Sequence, residues 1–365
     1  MRLRFLRGEV REIAVNPALE SLFAALDHEP SLDTGGKVAF LRAHAHPRLE
    51  RFKGRLSCEQ DFKPRAAALE KSGVPLVEKL EGPFDLVMVM PERQKEMTLS
   101  DLAHAHDLLA DGGMLLCSLP NDWGAKRFEQ RLKEVAGQVG TLSKHHCRVF
   151  WAKKSSEWNQ ETLSEWRAGG EFRKIVDDRF WSVPGLFAWD RIDPGSQMLV
   201  DHLPTEMAGQ AADLGCGWGF LSDFILRNRP EVTKLDVYDA DGKAIEAAKK
   251  NLSDANKRAR VRYLWHNVTG GLDRPGYYDW IVTNPPFHET RQPDPVIGMR
   301  FIIAAAQALK PDGQLWLVAN KHLPYEKLMR EGFAETSVVV QKDGYKILMG
   351  KAPNPVAQMP ERKKR

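Results

Sequence analysis

The chain has 365 residues, 42% of them hydrophobic and 28% charged, a composition typical of a globular protein with more than one domain. It contains no apolar run of about 18 residues, so no transmembrane helix is predicted. The net charge is only +4, and residues 1–160 carry 24 Lys and Arg against 22 Asp and Glu. The overall charge therefore does not predict nucleic-acid binding.

The four cysteines show neither a CxxC pair nor metal-ligand spacing, which is typical of reduced thiols and predicts no metal site. The N-terminus lacks the continuous apolar core of a signal peptide, so we expect a cytoplasmic protein. Short basic clusters, each typical of solvated surface charge, occur at residues 2–11, 48–55 and 362–365.

The first half of the chain has the pattern of an α/β domain. The predicted elements are, in order, a helix capped by Asn16, a short strand over 38–43, a buried strand over 83–91, a helix over 99–110, a turn over 111–113 and a strand over 114–119. The strand, helix, turn and strand at the end of this series indicate a βαβ unit with a parallel sheet.

The second half repeats this pattern. Residues 84–91 match residues 278–285 at a shift of 194, and two later blocks match at shifts of 201 and 198. Shifts this similar indicate that one fold occurs twice. We therefore predict α/β domains over 1–160 and 170–353, with a basic tail over 354–365.

The two copies differ where chemistry would need polar groups. Met90 stands in the first copy where the second has Asn284, and residues 38–44 contain no glycine loop. The first copy is therefore predicted to be degenerate. The polar stretch 152–180 is predicted to be a linker. The aromatic residues of 180–196 are expected to pack in a core rather than stack on bases.

A glycine loop follows a predicted strand in the second copy, with the sequence Asp213-Leu-Gly215-Cys-Gly217-Trp-Gly219, and leads into a predicted helix over 220–228. Its glycines allow close backbone approach and positive φ, and the helix N-terminus favours an anion. The spacing differs from the dinucleotide pattern G-x-G-x-x-G. The loop therefore predicts a site for a phosphate or an amino-acid carboxylate.

Two polar residues stand at the ends of the next predicted strands. Asp239 lies where a carboxylate grips ribose hydroxyls, and Asn267 is placed for an adenine edge. Either residue alone is typical of helix capping. Their occurrence at successive strand ends predicts a nucleoside site.

The motif Asn284-Pro285-Pro286-Phe287-His288 follows an apolar run that reads as a buried strand. Two prolines stiffen the loop and leave backbone carbonyls available as acceptors. Asn284 and the Pro285 carbonyl can accept both protons of an exocyclic amine, and Phe287 can stack on its ring. His288 is more typical of a structural residue than of a proton acceptor. The alternative is an ordinary proline-rich turn.

Together, these motifs resemble those of class I S-adenosylmethionine-dependent methyltransferases that act on planar amino groups. Within that class the chain resembles the tandem-domain bacterial ribosomal RNA guanine-N2 methyltransferases, most clearly over 180–352. Similar segments are residues 183–187, 193–199, 284–288 and 318–325. Trp218 departs from the pattern, because relatives usually have a small residue there.

The resemblance implies two tandem Rossmann-like methyltransferase domains, the first degenerate and helping to bind RNA. It implies an enzyme that methylates the N2 amine of one guanine in ribosomal RNA, with the 16S RNA of the small subunit as partner and neither membrane nor metal involved. The predicted catalytic residues are Asn284, Pro285, Pro286 and Phe287, and the predicted S-adenosylmethionine ligands are Asp213, Gly215, Gly217, Gly219, Asp239 and Asn267.

Other functions remain open at this point. Similar enzymes carry Asn-Pro-Pro motifs and methylate 23S guanine, adenine N6 or a protein glutamine. The glycine loop alone also fits a dehydrogenase, although its spacing is wrong for one. A non-catalytic RNA-binding module is the remaining alternative, against which the intact Asn284 and glycine loop count.

Overall fold

The computed structural model describes residues 16–253, 259–286 and 295–354. Within them the chain divides into two compact units, one formed by residues 16–61 and 65–171, the other by 62–64 and 172–354. Each unit has one mixed β-sheet with helices on both faces and a hydrophobic cluster under each helical layer. No helix in the described ranges is long and apolar enough to cross a membrane.

The first unit contains six strands in the order β2-β1-β3-β4-β6-β5. Its strands are β1 (Val38–Leu41), β2 (Leu56–Glu59), β3 (Phe84–Val89), β4 (Leu109–Pro120), β5 (Gly140–Lys144) and β6 (Cys147–Lys153). Its helices are α1 (Pro17–His28), α2 (Lys63–Lys71, which belongs to this unit from residue 65 onward), α3 (Lys95–Leu108), α4 (Ala125–Ala136) and α5 (Gln160–Gly169). The Asn16 side chain accepts hydrogen bonds from the Ala18 and Leu19 N–H groups, which confirms the predicted cap of α1.

One prediction for this region is wrong. Residues 152–180 are not a linker, because α5 and two short strands, β7 (Arg173–Ile175) and β8 (Phe180–Ser182), lie within them. The buried side chains of Leu163 and Trp166 join a hydrophobic cluster of the first unit and hold α5 against it. The surrounding residues are polar, so the sequence shows only a weak apolar pattern here. The predicted turn at 111–113 is present as a bulge within β4, because Phe84 pairs with Leu109 whereas Leu86 pairs with Met114, and Gly112 has a φ of +76°.

The second unit has a seven-stranded sheet in the order β11-β10-β9-β12-β13-β15-β14, beside the β7-β8 pair. Its strands are β9 (Gly209–Leu214), β10 (Val232–Asp239), β11 (Arg260–Trp265), β12 (Tyr278–Thr283), β13 (Leu309–Asn320), β14 (Phe333–Lys342) and β15 (Tyr345–Pro353). Its helices are α6 (Pro194–His202), α7 (Phe220–Asn228), α8 (Gly242–Leu252), α9 (Pro295–Ala308) and α10 (Tyr325–Gly332).

The two sheets confirm the predicted duplication. Both begin with parallel pairs and end in two antiparallel pairs, and among the described residues of the first unit a single parallel bridge between Cys58 and Leu76 stands where the second has the edge strand β11. The strands β4 and β13 share one burial pattern over all 12 residues. Leu109 pairs with Phe84 as Leu309 pairs with Tyr278, so the shift in this block is 200 residues rather than 201.

A largely buried arginine with two carboxylate partners occupies the end of β1, where the second sheet has its glycine loop after β9. Arg42 directly follows β1, as Gly215 follows β9, and both take positive φ. The Arg42 side chain donates to Asp101 at 2.5 Å and to Asp61 at 3.3 Å. The two carboxylates neutralise the Arg42 charge where little water reaches it, and loss of either one would leave a buried charge uncompensated. Side chains of the first unit therefore occupy this edge of the sheet themselves.

Tyr278 anchors the second sheet through its buried hydroxyl. The hydroxyl donates to the Asp236 carboxylate at 2.5 Å and lies 2.7 Å from the Tyr238 hydroxyl. We predict that Tyr278→Phe lowers the free energy of unfolding by about 1–3 kcal/mol, because it removes a hydrogen bond from a buried carboxylate. Urea denaturation checks this value.

Tyr277→Phe is the matched control, because that neighbouring side chain is only half-buried. Its effect should stay within about 0.5 kcal/mol. Equal losses for the two variants would contradict the anchoring role of Tyr278.

Candidate active site

A cavity of about 350 Å³ lies at the carboxyl ends of the parallel strands of the second sheet. This is the edge at which open α/β sheets bind ligands. Its lining includes the predicted residues Gly215, Gly217, Asp239, Asn267, Asn284, Pro285 and Pro286. The sequence patterns therefore identified residues that the fold brings to one place.

The glycine loop is fixed by backbone hydrogen bonds to the neighbouring strand. The N–H groups of Gly215 and Cys216 donate to the Tyr238 carbonyl at 2.9 and 3.0 Å. Gly215 has a φ of +74°, and a β-carbon there would lie 3.3 Å from the Phe301 ring. Glycine is therefore required both by the turn and by the close approach of α9.

Asp239 joins the loop to the end of β10. Its Oδ2 accepts from the Gly217 N–H and its Oδ1 from the Asp241 N–H, both at 2.9 Å. Burial raises the pKa of Asp239 to about 6, although these backbone hydrogen bonds oppose the shift. Each oxygen keeps a lone pair for a ligand hydroxyl, since a carboxylate offers about four acceptor positions.

Asp213 and Gly219, two predicted cofactor ligands, do not line the cavity. Asp213 is fully buried, and its Oδ2 accepts from the Ser222 hydroxyl at 2.6 Å. Burial raises the pKa of Asp213 to about 7. Gly219 caps α7 with a φ of +93°, and a β-carbon there would lie 3.3 Å from the Ala248 Cα. Both residues shape the loop from behind, so their predicted direct contact with the cofactor is corrected to support.

Asn267 caps a turn and also lies in the lining of the cavity. Its Oδ1 accepts from the N–H and hydroxyl of Thr269 at 3.1 and 2.7 Å, which caps a short 3₁₀ turn. The residue also lines the cavity. With the oxygen engaged, its Nδ2 is the group left to donate to a ring nitrogen of a bound base.

The orientation of Asn284 is set by two side chains near the start of α6. Its Nδ2 donates to the Asp193 carboxylate at 2.9 Å and to the Ser196 hydroxyl at 2.8 Å. A carboxylate can only accept, so the amide nitrogen must face Asp193. No described residue donates to Oδ1, which is left as an acceptor in a residue that lines the cavity.

The rest of the motif is described only in part. Pro285 and Pro286 line the cavity, and the Pro286 ring lies beside Gly215. Phe287, predicted to stack on the substrate, and His288 lie outside the described residues. In the described parts of the chain no cluster of three or more His, Cys, Asp or Glu side chains could hold a metal.

Sequence reasoning missed the residues that support the site. Asp193 and Ser196 lie about 90 positions before Asn284, and although the segment 193–199 was recognised as similar to the family, nothing in it indicated a contact with Asn284. Trp218 is buried, its indole N–H donates to the Ala188 carbonyl at 3.2 Å, and its ring lies 4.9 Å from that of Phe180. This packing explains how the loop accommodates a bulky residue.

The aromatic stretch 180–196 serves two purposes. Phe180 is buried as expected. Phe187, in contrast, is 56% exposed and lines the cavity. The expectation of core packing therefore fails for this side chain, which offers a flat apolar face to a ligand.

Comparisons with known proteins bear on the class of protein to which this fold belongs. A family model for the methyltransferase small domain matches residues 177–349. Curated relatives are named ribosomal RNA small subunit methyltransferase C. The Psychromonas ingrahamii protein is 27% identical over 270 residues, covering 73% of this chain and 76% of the relative. The Acinetobacter baylyi protein is 28% identical over 272 residues, covering 73% and 79%.

Among solved structures, the chain is similar to the T. thermophilus 16S rRNA N2 methyltransferase in complex with AdoMet and guanosine. The identity is 23% and the TM-score 0.75, covering 93% of this chain and 92% of that one. The family match identifies an S-adenosylmethionine-dependent methyltransferase, and together with the two sheets it confirms the predicted fold class and cofactor. Residues 177–349 match the methyltransferase small-domain family, and over 73% of its length the chain is similar to relatives named ribosomal RNA small subunit methyltransferase C.

The Asp239 carboxyl predicts a pH dependence of cofactor binding. Its pKa of about 6 means that it holds a proton at pH 5 and is ionised at pH 7. Ribose hydroxyls donate to the ionised form, so affinity should fall as pH falls, by about tenfold between pH 7 and pH 5. Calorimetric titration with S-adenosylhomocysteine at several pH values measures it.

Asp239→Asn is the control, because it keeps the size of the side chain and cannot ionise. Its affinity should be weaker at pH 7 and nearly constant between pH 5 and pH 7. If the variant retained the wild-type pH dependence, the titrating group would be another residue, and Asp213 would be the first candidate.

Asp193 both caps α6 and holds the Asn284 amide, so a suitable substitution should remove the second contact and keep the first. Asp193→Ser keeps an N-cap oxygen for the Ser196 N–H but is too short to hold the Asn284 amide as well. We predict a melting temperature close to wild type, a kcat lowered by about 10–100-fold and unchanged cofactor affinity. Steady-state kinetics and calorimetry measure all three.

Asp193→Glu tests rescue, since it restores a carboxylate with longer reach. Partial recovery of kcat over Asp193→Ser is expected. A wild-type kcat in Asp193→Ser would show that the carboxylate only caps α6.

Proposed function

We propose that the protein transfers a methyl group from S-adenosylmethionine to the exocyclic N2 amine of a guanine in small-subunit ribosomal RNA. The observation that carries this proposal is the orientation of Asn284, whose amide nitrogen is held by Asp193 and Ser196. The carboxamide oxygen is thereby reserved for a donor in the cavity. An exocyclic amine is such a donor, and its protons point in the plane of its ring.

Alignment supplies most of the catalysis in this proposal. S-adenosylmethionine, when bound, supplies an electrophilic methyl group, which leaves little covalent chemistry for the protein. Asn284 Oδ1 and the Pro285 carbonyl accept the protons of the guanine amine and hold its nitrogen toward the methyl group. These acceptors also offset the positive charge that the nitrogen gains during attack. The amine proton then leaves to water.

The cavity residues fit the cofactor. Asp239 would accept from the ribose hydroxyls, Asn267 Nδ2 would donate to the adenine, and the loop at Gly215 and Gly217 would lie against the methionine part. The cavity volume of about 350 Å³ lies within the usual range for cofactor sites. Phe187 and the stacking residue Phe287 would hold the base at the mouth.

The substrate assignment draws on the relatives. The curated relatives are named for small-subunit ribosomal RNA, and the T. thermophilus structure contains guanosine. We also propose that the first unit contributes to RNA binding without catalysis, because Arg42 and its partners fill the edge where a cofactor would bind. A cytoplasmic location belongs to the same proposal.

The test is to incubate the purified protein with S-adenosylmethionine and naked 16S rRNA, naked 23S rRNA or small subunits that lack the modification. Nucleoside mass spectrometry should find N2-methylguanosine at one position of the 16S RNA. N6-methyladenosine, or methylation of 23S RNA or of protein, would contradict the proposal.

Asn284→Ala separates catalysis from binding. We predict a kcat lowered by about 10²–10³-fold, the range for loss of one well-placed electrostatic partner, with unchanged cofactor affinity. Single-turnover methylation and calorimetry measure the two quantities. Asn228→Ala, on the exposed end of α7, is the control and should retain full activity. Near-normal turnover in Asn284→Ala would make the Asn-Pro-Pro loop a structural turn.

A further inference from the structure

A second recess, of about 200 Å³, lies near the amino ends of β10 and β11 in the second unit. It is outside the active-site cavity and shares no lining residue with it. We call it the basic recess. Its lining consists of Lys234, Asp236, Arg260, Arg262, Arg274 and Tyr277.

The basic recess carries excess positive charge. It has four cationic side chains and a single carboxylate, Asp236. That carboxylate is already engaged, because Arg262 donates to it through two nitrogens at 2.7 and 2.5 Å. Within the described parts of the chain, Lys234, Arg260 and Arg274 make no ion pair. Three uncompensated cations therefore surround one recess.

An aromatic ring holds two of these cations in place. The Arg274 guanidinium lies 4.5 Å from the centre of the Tyr277 ring, and the Lys234 ammonium lies 5.9 Å from it. Cation–π contacts fix a charge without neutralising it. The like charges consequently repel one another, and an anion bound among them would relieve that repulsion.

The pairing of the strands creates the recess. Lys234 pairs with Arg260 and Asp236 with Arg262, so that the long side chains of neighbouring strands rise together at the sheet edge. On β10, Lys234 precedes Asp239 by five residues, which corresponds to about 16 Å along the strand. A small ligand of the active-site cavity cannot reach both places, whereas a polymer can.

We propose that the basic recess binds the phosphodiester backbone of the RNA substrate, away from the methylated base. This inference rests on the proposed function in taking RNA as the substrate. Phosphate oxygens match the donors of Arg260, Arg274 and Lys234, and such contacts position a nucleic acid without reading its sequence. The nearly neutral charge of the whole chain makes such a local concentration of cations informative.

Protection of a sheet edge is the competing explanation. The strand β11 lies at the edge of the sheet, and charged side chains there prevent pairing with other molecules. This explanation predicts that removing the charges causes aggregation and leaves RNA affinity unchanged. The two explanations therefore differ in a measurable quantity.

The test compares two triple variants of the full-length protein. The first is Lys234→Gln/Arg260→Gln/Arg274→Gln. The control is Lys249→Gln/Lys327→Gln/Arg330→Gln, which removes the same charge from exposed positions on α8 and α10. The dissociation constant for naked 16S rRNA is measured at several salt concentrations, together with cofactor affinity and methylation kinetics.

For the first variant we expect RNA affinity at low salt to fall at least about tenfold, and the slope of log K against log salt to flatten by about 2, as for the loss of about three phosphate contacts. Cofactor affinity and kcat at saturating RNA should stay at wild-type values. The control should retain the wild-type slope. Circular dichroism checks folding, and if the triple variant does not fold, Lys234→Gln/Arg260→Gln replaces it, because both side chains are exposed.

Equal affinities and slopes in the two variants would overturn the proposal, as would aggregation of the first variant with unchanged RNA binding. If the wild-type protein bound RNA and methylated it while the first variant behaved like the control, only the role of the basic recess would fail. If the wild-type protein bound no RNA, both this inference and the proposed function would fall.

Discussion

The proposed active site depends on the hydrogen bond between the Asn284 amide and the Asp193 carboxylate. An amide side chain presents a donor and an acceptor of nearly the same shape, so its chemistry depends on which end faces the ligand. Asp193 removes that ambiguity because a carboxylate cannot donate. The two prolines after Asn284 hold the backbone rigid, and Ser196 gives the amide nitrogen a second acceptor. The oxygen is therefore oriented as an acceptor before a substrate binds. Electrostatic catalysis requires this kind of preorganisation.

On the cofactor side of the cavity, hydrogen bonds within the protein likewise fix the ligand-facing groups before a ligand binds. Asp239 accepts one backbone N–H on each oxygen, so the group predicted to grip ribose also fixes the glycine loop. Asp213 supports the loop from beneath through Ser222 and never reaches the cavity. In the first unit, Arg42 occupies the equivalent strand end and closes it with two carboxylates. One duplicated sheet therefore holds a ligand site in one copy and an internal ion pair in the other.

Features that depend only on local sequence patterns, such as strand ends and the polar residues that follow them, could be predicted from the sequence. Parallel strands end at one edge, so Asp239, Asn267 and Asn284 could be placed together from strand ends alone. The contacts of Asp193 with Asn284 could not be predicted, because they join positions 91 residues apart. The helix α5 was missed because only Leu163 and Trp166 mark its apolar face. The basic recess was missed because its cations meet only when β10 and β11 pair in register.

The most direct test is a crystal structure of this protein with S-adenosylhomocysteine and guanosine. We expect guanine N2 to lie within about 3.2 Å of Asn284 Oδ1 and of the Pro285 carbonyl, with Asn284 Nδ2 still bound to Asp193. A structure in which Nδ2 faces the base, or in which N2 contacts neither acceptor, would contradict this expectation.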